Sequence, residues 1–354
     1  MSVAIVTGSS GLIGSACVRA LDALGLEVVG IDNDLRRYFF GPDASTRPVS
    51  GELIKSCARF RHCDLDIRNS NEIGRIFKQY GSRIGLLIHA AAQPSHDWAA
   101  REPLTDFEVN ATGTLQLLEY TRQHCPAAVF IYVSTNKVYG DTPNTLPLHE
   151  LETRWELDST HRFHAHGIDE SMSIDHSQHS LFGTSKLAAD LLAQEYGRYF
   201  GLRTGIFRCG CVTGPQHAGA ELHGFLAYLI KCAVAEREYR ILGYRGKQVR
   251  DLIHGSDVAQ AFIQFFRAPR PAEVYNLGGG RECHASLLEI IDAVGVRMNR
   301  PMRTTYRDEP RAGDHMWWVS DARKFASHYP SWKLTHALPD LLDEMLDRPH
   351  TLAP

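Results

Sequence analysis

Three glycines near the start of the chain have a spacing that is suited to binding phosphate groups. Gly8, Gly11 and Gly14 follow the β-branched run VAIVT and open the amphipathic stretch LIGSACVRALDALG. A tight turn from strand to helix lets the backbone approach a pyrophosphate closely, and the free N–H groups at the helix N-terminus face its negative charge. We therefore predict that this turn binds a dinucleotide, with Leu12 and Ile13 as further contacts.

A carboxylate follows at the end of the next predicted strand. Asp32 lies 18 residues after Gly14, where a carboxylate can accept hydrogen bonds from both hydroxyls of an adenosine ribose. The same charge repels a 2′-phosphate, so the sequence favours NAD over NADP, with Asn33 as a neighbouring contact. Arg36 and Arg37 lie close by and keep NADP open as the alternative.

Strand and helix patterns alternate around these residues. The segments VAIVTG, LIGSACVRALDALG and LEVVGID form a βαβ unit, which implies parallel strands joined by a right-handed crossover. Further strands are predicted at ARFRHCDL, IGLLIHAAA, AVFIYVS and RTGIFRCG, with helices at 69–80, 104–124 and 184–200. The alternation predicts an α/β fold with a Rossmann-type, doubly wound parallel sheet.

The pattern changes after about residue 213. GAELHGFLAYLIKCAVAERE is predicted to be helical, and short mixed segments follow it. We predict an NAD-binding Rossmann domain of residues 1–212 plus about 247–277. A smaller C-terminal α/β domain, formed by about 213–246 and 278–354, is predicted to bind the substrate.

Composition narrows the class of protein further. The chain has 354 residues, 44% of them hydrophobic and 22% charged, and a formal net charge of −3. These values are ordinary for a globular protein and give no electrostatic reason to expect nucleic acid or a membrane surface as partner. No apolar run approaches the length that spans a bilayer, and the start has no signal-peptide pattern, so we expect a cytoplasmic protein. The eight cysteines are scattered, so we predict reduced thiols and no metal site.

The motifs resemble those of the extended short-chain dehydrogenase/reductase family, and the likeness covers nearly the whole chain. The shared segments are the glycine turn, HAAA at 89–92, VSTNKVYG at 133–140, RCGCVTGP at 208–215 and VRDLIH at 249–254. The resemblance implies NAD as cofactor. It also implies cofactor contacts from Asp66 and Ile67, with Asp64 and Leu65 as an alternative register, and from Ala90, Ala91, Ala92, Asn110 and Lys186.

Loop residues indicate which members of the family are most similar. The 4,6-dehydratases carry an Asp-Glu pair after the catalytic Ser/Thr, whereas this chain has Asn136 and Lys137. STNKVYGD at 134–141, ETR at 152–154, DES at 169–171 and GKQVRD at 246–251 resemble the CDP-paratose (CDP-tyvelose) 2-epimerases. Loop sequences of this kind are not dictated by the fold.

The resemblance implies an isomerase that oxidises a nucleotide-linked sugar to a transient keto-sugar and reduces it again on the opposite face. The substrate would be a CDP- or UDP-sugar, and carbohydrate metabolism the setting. Thr135 would hydrogen-bond the reacting hydroxyl and Lys186 would hold the nicotinamide ribose. The implied substrate contacts are Ser95, Asn136, Lys137, Phe225, Arg250 and Arg311, with Phe225 either stacking on the base or packing in its own domain. The helices at 104–124 and 184–200 resemble those that form family dimers, so a homodimer is expected.

One position departs from the family pattern. Phe182 stands where a catalytic tyrosine is expected, four residues before Lys186. Phenylalanine cannot exchange a proton, and loss of a general base costs on the order of 10²–10⁴ in rate. Three explanations remain open: a replacement base, an inactivated NAD-binding protein of natural or engineered origin, or a related reaction on another sugar carbon, namely 4-epimerisation, decarboxylation or dehydration. His96 is the first candidate base, and the others are Lys186, Cys211, Tyr139, His176 and His179.

Overall fold

The computed structural model describes residues 2–221 and 223–347 of the chain. The strands are β1 (Val3–Thr7), β2 (Glu27–Ile31), β3 (Phe60–Cys63), β4 (Ile84–His89), β5 (Val129–Thr135), β6 (Leu148–Glu150), β7 (Trp155–Leu157), β8 (Arg203–Cys209), β9 (Cys211–Thr213), β10 (Tyr239–Leu242), β11 (Val249–His254), β12 (Glu273–Leu277), β13 (His284–Ser286), β14 (Thr304–Arg307) and β15 (Trp317–Trp318).

The α-helices are α1 (Leu12–Ala23), α2 (Leu35–Phe40), α3 (Arg47–Ser56), α4 (Ser70–Tyr80), α5 (His96–Arg101), α6 (Pro103–Phe107), α7 (Gly113–His124), α8 (Ser180–Phe200), α9 (Phe225–Val234), α10 (Gly255–Arg267), α11 (Leu287–Arg297), α12 (Arg323–His328) and α13 (Leu338–Asp347). A π-helical turn, Glu108–Thr112, joins α6 to α7. Short 3₁₀ turns connect several of the other elements.

Seven parallel strands form the central sheet, in the order β12-β8-β5-β4-β1-β2-β3. The order reverses at β1 and β4, as it does in a doubly wound dinucleotide-binding fold. Successive β1 residues enter opposite cores, Ala4 and Val6 on one face and Val3 and Ile5 on the other. Helices α1 and α10 cover the first face, and α4, α7 and α8 cover the second. The predicted Rossmann-type fold is confirmed.

Three predicted helices differ in their bounds. The helix predicted at 184–200 begins four residues earlier, at Ser180. The stretch 104–124 is helical but contains the π turn, and buried Asn110 within this turn accepts a hydrogen bond from the Gln93 N–H. The helix expected from 219 begins only at Phe225, because Gly224 before it has a φ of +84°. Residue 222 of that stretch lies outside the described residues.

The C-terminal part builds smaller sheets. Strand β11 pairs with β9, β13 and β15, and β10 pairs with β14. Helices α9, α11 and α13 share an apolar core with β10 and β11. In contrast, α10 packs on α1, and β12 joins the central sheet. The division into two domains remains a prediction. Residues 348–354 of the predicted C-terminal domain lie outside the residues that the structure describes. No helix in the described ranges combines the length and apolar character that crossing a membrane requires.

Candidate active site

A cavity of about 410 Å³ opens at the carboxyl ends of β1, β2, β4, β5 and β8. Its opposite wall comes from residues 209–213, 216–218, 223–226, 250, 252 and 311–314. Ligands of doubly wound sheets bind at this edge, where the strand order reverses. The cavity therefore has the place and the two-sided construction of a site for a dinucleotide and a second ligand.

The glycine turn forms one end of the cavity. Gly8 has a φ of +65°, and a Cβ added to it would lie 2.7 Å from the Ala91 nitrogen. A Cβ on Gly14 would lie 2.0 Å from the Gly8 carbonyl oxygen. Leu12 and Ile13 line the cavity where α1 begins. The first turn of α1, all of which the structure describes, has no acidic side chain. Open N–H groups and close backbone approach fit a pyrophosphate.

Asp32 also lines the cavity, and its carboxylate is held in place by three donors. Oδ2 accepts from the Ser10 N–H at 3.0 Å, and Oδ1 accepts from the Asp34 N–H at 2.9 Å and the Thr46 hydroxyl at 3.1 Å. A carboxylate has about four lone-pair positions, so these contacts leave acceptor capacity for a ribose diol.

Arg36 is engaged by the opposite wall. Its Nη2 donates to the Ala218 carbonyl at 2.6 Å, and its Nη1 lies 3.0 Å from His223 Nδ1. Burial lowers the pKa of the guanidinium to about 10. Arg37 is exposed. Arg36 is therefore already paired, and Arg37 is not part of the cavity lining beside Asp32, which agrees with NAD as the cofactor.

Asp66 and Ile67, the favoured register of the adenine pair, both line the cavity, as does Asn33. Asn33 Nδ2 donates to Asp66 Oδ2 at 3.0 Å, and Arg68 donates to the same oxygen at 2.7 Å. Burial opposes ionisation of Asp66, but these hydrogen bonds outweigh it and lower its pKa. Asp64 is exposed and pairs with an arginine of α3.

The segment after β4 divides into residues that line the cavity and residues behind it. Ala90, Ala91 and Ala92 line it, whereas the side chains of Asn110 and Ser95 are buried behind its wall. Asn110 Oδ1 accepts from the Gln93 N–H at 2.9 Å, and its Nδ2 donates to Ser185 Oγ at 3.1 Å. Ser95 caps α5. The predicted binding roles of Asn110 and Ser95 remain predictions. Their observed hydrogen bonds hold the segment after β4, which forms this wall of the cavity.

Thr135, Asn136 and Lys137 lie together where β5 ends. Thr135 Oγ1 accepts from the Lys137 N–H at 3.3 Å and begins a 3₁₀ turn, Asn136–Tyr139. The Lys137 ammonium donates to the Gly313 carbonyl at 2.9 Å. Burial lowers the pKa of Lys137 to about 8, with Asp314 opposing the change and Arg250 adding to it.

Lys186 lies on α8 at the floor of the cavity and is buried. Its Nζ donates to the Val133 carbonyl at 2.8 Å and lies 4.4 Å from the centroid of the Tyr132 ring. Burial lowers its pKa to about 8, against the opposing charge of Asp190. A cation fixed in this way can still direct its remaining hydrogens toward a bound ribose.

Phe182 lines the cavity in the first turn of α8 and is 6% exposed. The His96 ring meets it edge-on, with 4.9 Å between the ring centroids. His96 Nδ1 lies 2.8 Å from Ser180 Oγ. Burial, and then the charge of Lys137, lower the pKa of His96 to about 3. His96 is therefore a neutral imidazole at physiological pH and a weak proton acceptor.

The other proposed bases are less favourable still. The Tyr139 hydroxyl lies outside the cavity lining, where it donates to Asn276 at 2.8 Å, and burial raises its pKa to about 12. Cys211 lines the cavity, but burial raises its pKa to about 11. His176 is exposed, and His179 Nε2 pairs with the Ile174 carbonyl at 2.8 Å.

Arg250 and Arg311, the predicted diphosphate contacts, converge on Asp314. Arg250 Nη2 donates to Asp314 Oδ1, and Arg311 Nη2 lies 3.7 Å from Oδ2. Burial opposes ionisation of Asp314, but the charges of the two arginines and Lys137 lower its pKa below its usual range. Phe225, the predicted base contact, lines the same wall at the start of α9.

Sequence reasoning missed several residues of the lining. Asp314, Ser10, Thr46, Asp97, Gln216, His217, Ala218 and His223 line it as well. Asp314 follows Arg311 by three residues, which is a local signal for an ion pair. The contact between Arg36 and residues 218 and 223 crosses more than half of the chain, so no local pattern reveals it.

A histidine cluster lies apart from this cavity. His254, His336 and Glu344 offer ligand atoms within 4.8 Å of one another. However, His254 Nδ1 accepts from the Ser256 N–H at 3.1 Å, which places the proton of the neutral ring on Nε2, toward Glu344. This hydrogen-bonded tautomer does not suit a metal ligand.

The seven-stranded sheet and its cavity define an extended short-chain dehydrogenase/reductase. Residues 4–278 match the family described as "NAD dependent epimerase/dehydratase family", and the chain belongs to that family. The predictions of an enzyme and of NAD as cofactor are thereby confirmed at the level of the family.

Known proteins similar to the chain share nearly its whole length. CDP-paratose 2-epimerase of Salmonella typhi is 30% identical over 352 residues, which cover 97% of this chain and 98% of that protein. The dTDP-glucose 4,6-dehydratase of Salmonella typhimurium is 28% identical, with coverage of 93% and 87%. The structure of UDP-glucose 4-epimerase from Thermus thermophilus in complex with NAD has a TM-score of 0.78 at 24% identity, with 98% of each chain covered.

Proposed function

We propose that this protein is an NAD-dependent 2-epimerase of a CDP-linked sugar. It would remove hydride from one sugar carbon, hold the keto-sugar, and accept the hydride back on the opposite face. The similarity to CDP-paratose 2-epimerase, which extends over both chains almost completely, supports this choice of reaction. UDP-sugars are the second substrate class to test, because the same diphosphate contacts would serve them.

The observation that carries the proposal is the residue set where β5 ends. Thr135 lies in the same cavity as Lys186 and the glycine turn, while Asn136 and Lys137 follow it. Elimination of water from C5 and C6 needs an acid and a base at those two positions, and an amide with a lysine does not supply the carboxylic acid. Oxidation and reduction at a single carbon needs only one group that takes a proton and returns it.

Five residues of the cavity have a role in this reaction. Bound NAD supplies the hydride acceptor and donor. Asp32 would hold the adenosine ribose and Lys186 the nicotinamide ribose. Thr135 would orient the reacting hydroxyl, and Arg250 and Arg311 would bind the diphosphate, since a guanidinium can contact two oxygens at once.

A disabled NAD-binding protein is the second candidate, and Phe182 is the observation that favours it. A protein that binds NAD without turnover has no need to keep Thr135, which would orient the reacting hydroxyl. Thr135 still lines the cavity, and this retention favours the epimerase.

The test is incubation of the NAD-loaded protein with CDP-, UDP-, GDP- and dTDP-sugars in D₂O, followed by proton NMR and by absorbance at 340 nm. A new 2-epimer without lasting absorbance at 340 nm is expected with a CDP-sugar. Lasting absorbance without an epimer would replace epimerisation by an oxidative reaction. No turnover across the panel, by this chain and by F182Y, would favour the binding protein.

We also propose a homodimer formed through α6, α7 and α8. Large apolar side chains are exposed along these helices, namely Leu104, Phe107, Leu115, Leu181, Leu191, Tyr199 and Phe200. A second copy could cover them, since contiguous apolar surface marks interaction sites. Sedimentation should give a dimer at micromolar concentration, and L191E/Y199E should give a monomer. A monomeric parent protein would refute this part of the proposal.

A further inference from the structure

The position of Phe182 leaves the proposed reaction without its usual proton acceptor, and Lys137 is one of the polar groups that line the same cavity. Lys137 lies two residues after Thr135, the residue expected to orient the reacting hydroxyl, and the two are joined by the hydrogen bond from the Lys137 N–H to Thr135 Oγ1. The start of the 3₁₀ turn therefore fixes the Lys137 backbone beside Thr135.

A chain of contacts through Gly313 and His96 links the Lys137 amine to Phe182. Its Nζ bonds to the Gly313 carbonyl at 2.9 Å. His96 packs on the same glycine, since a Cβ added to Gly313 would lie 2.3 Å from His96 Cε1. His96 in turn meets the Phe182 ring edge-on. Lys137, Gly313, His96 and Phe182 thus form one continuous wall of the cavity.

The two lysines of the cavity differ in what surrounds them. The Lys186 amine is held between the Val133 carbonyl and the Tyr132 ring, on the cofactor side. Lys137 shares its wall with Arg250 and Arg311, and Asp314 supplies the opposing charge. Burial together with neighbouring cations disfavours an ammonium, and it is the neutral amine whose lone pair can accept a proton.

We propose that Lys137 is the catalytic residue that takes the place of the missing tyrosine as proton acceptor and donor, an inference that rests on the proposed epimerase function. The sugar hydroxyl gives its proton to the Lys137 nitrogen while its carbon, which is oxidised, gives hydride to NAD. When the hydride returns to the other face of the ketone, the Lys137 ammonium returns the proton to the oxygen. Atoms and electrons balance, and no further reactant is needed.

The test compares K137M, K137R, F182Y and K137M/F182Y, each with its NAD content and CDP affinity measured first. K137M should lower kcat by about 10²–10⁴ and leave both affinities nearly unchanged. K137R keeps the positive charge but cannot release its proton, so it should be as slow as K137M. The phenol in K137M/F182Y should raise kcat at least tenfold above K137M.

A second measurement does not depend on turnover. Acetylation of Lys137 by acetic anhydride, followed by mass spectrometry over pH 6–11, gives the midpoint of its ionisation, with exposed Lys55 as internal reference. A midpoint near pH 8 is expected, and kcat should rise through the same pH. A midpoint near that of a free lysine would overturn the proposal.

The outcomes separate the two proposals. If K137M raises only KM, or if K137R retains activity, Lys137 binds substrate and does not exchange the proton. If the parent protein is inactive but F182Y and K137M/F182Y epimerise equally well, the Lys137 proposal is overturned while the epimerase chemistry of the cavity stands. If no variant turns over any sugar although all bind NAD, both proposals fail.

Discussion

The imidazole of His96 meets the Phe182 ring edge-on, with 4.9 Å between the two centroids, at the point of the cavity where a proton acceptor is expected. The contact is apolar on the phenylalanine side, and Ser180 fixes the histidine from the other side. Because burial and nearby cations keep His96 neutral, its ring packs in the wall and does not contribute an ionisation in the range of physiological pH.

The first prediction concerns the pH dependence of turnover. His96→Gln should leave the apparent pKa of the kcat profile between pH 6 and 9 unchanged, because a group with a pKa of about 3 is already uncharged throughout that range. The profile is measured with the preferred nucleotide sugar. Loss of the ionisation in the variant would mean that His96 is the base. Ser180→Ala, which removes the partner of His96 Nδ1, serves as the control for mispacking.

Gly14→Ala should abolish binding of NAD. The added methyl group would lie 2.0 Å from the Gly8 carbonyl oxygen, so the turn must open and move its N–H groups. Calorimetry should show an affinity for NAD that is at least 10²-fold weaker. Because each factor of ten in affinity corresponds to about 1.4 kcal/mol, the loss of binding free energy is on the order of 3 kcal/mol. The matched control is Gly51→Ala, where an added Cβ meets no atom within 4 Å. Equal affinities in the two variants would contradict the assignment of the turn.

Asp314→Asn should destabilise the free protein and strengthen its response to a nucleotide. The variant leaves the guanidinium groups of Arg250 and Arg311 without their buried carboxylate, and breaking such a pair costs about 3–5 kcal/mol. A diphosphate can replace the lost charge. Thermal unfolding should therefore show a lower Tm without ligand and a larger rise with CDP than in the parent protein.

Glu309→Gln, an exposed carboxylate nearby, is the control for the change in net charge. If Asp314→Asn lowers the Tm but CDP raises it no more than in the parent protein, the two arginines do not bind the diphosphate.

A buried aspartate should make stability depend on pH. Asp251 is buried, its Oδ2 accepts from the Ser320 N–H at 3.0 Å, and burial raises its pKa to about 6 from an ordinary value of 3.8. The folded chain thus holds this proton more tightly than the unfolded chain. The stabilisation, on the order of 3 kcal/mol, is complete below pH 3.8 and is lost as the pH rises through about 6.

Asp251→Asn should remove this dependence. Urea unfolding between pH 4 and 7 is expected to show a flatter slope of the unfolding free energy for the variant than for the parent protein. The same slope in both proteins would mean that Asp251 ionises as it does in the unfolded chain.

The sequence predicts best where a local pattern has one physical solution. Gly8 and Gly14 are in this class, because a strand-to-helix turn of that spacing admits little else. Which aspartate after β3 faces the cavity is harder to predict, because both Asp64 and Asp66 follow that strand. Only the fold shows that Asp64 is exposed to solvent while Asp66 lines the cavity. Local spacing identifies a strand end but not which neighbouring residue turns inward.

The opposite wall of the cavity was less predictable. The resemblance to the family predicts Arg250 and Arg311 as substrate contacts. It does not predict Asp314, which pairs with both arginines. Asn110, predicted to contact the cofactor, has its side chain behind the cavity wall, where it bonds to Gln93 and Ser185. These contacts join elements that are distant in the chain, so periodicity and propensity carry no information about them.

The link from Arg36 to Ala218 and His223 has a consequence for the order in which the protein can be completed on the ribosome. Residues 2–135 contain β1 to β5 and the glycine turn, so most of the dinucleotide side of the cavity is synthesised before the opposite wall. The partner of Arg36 emerges 182 residues later. The contact between Arg36 and the opposite wall can therefore form only after residue 218 has left the exit tunnel.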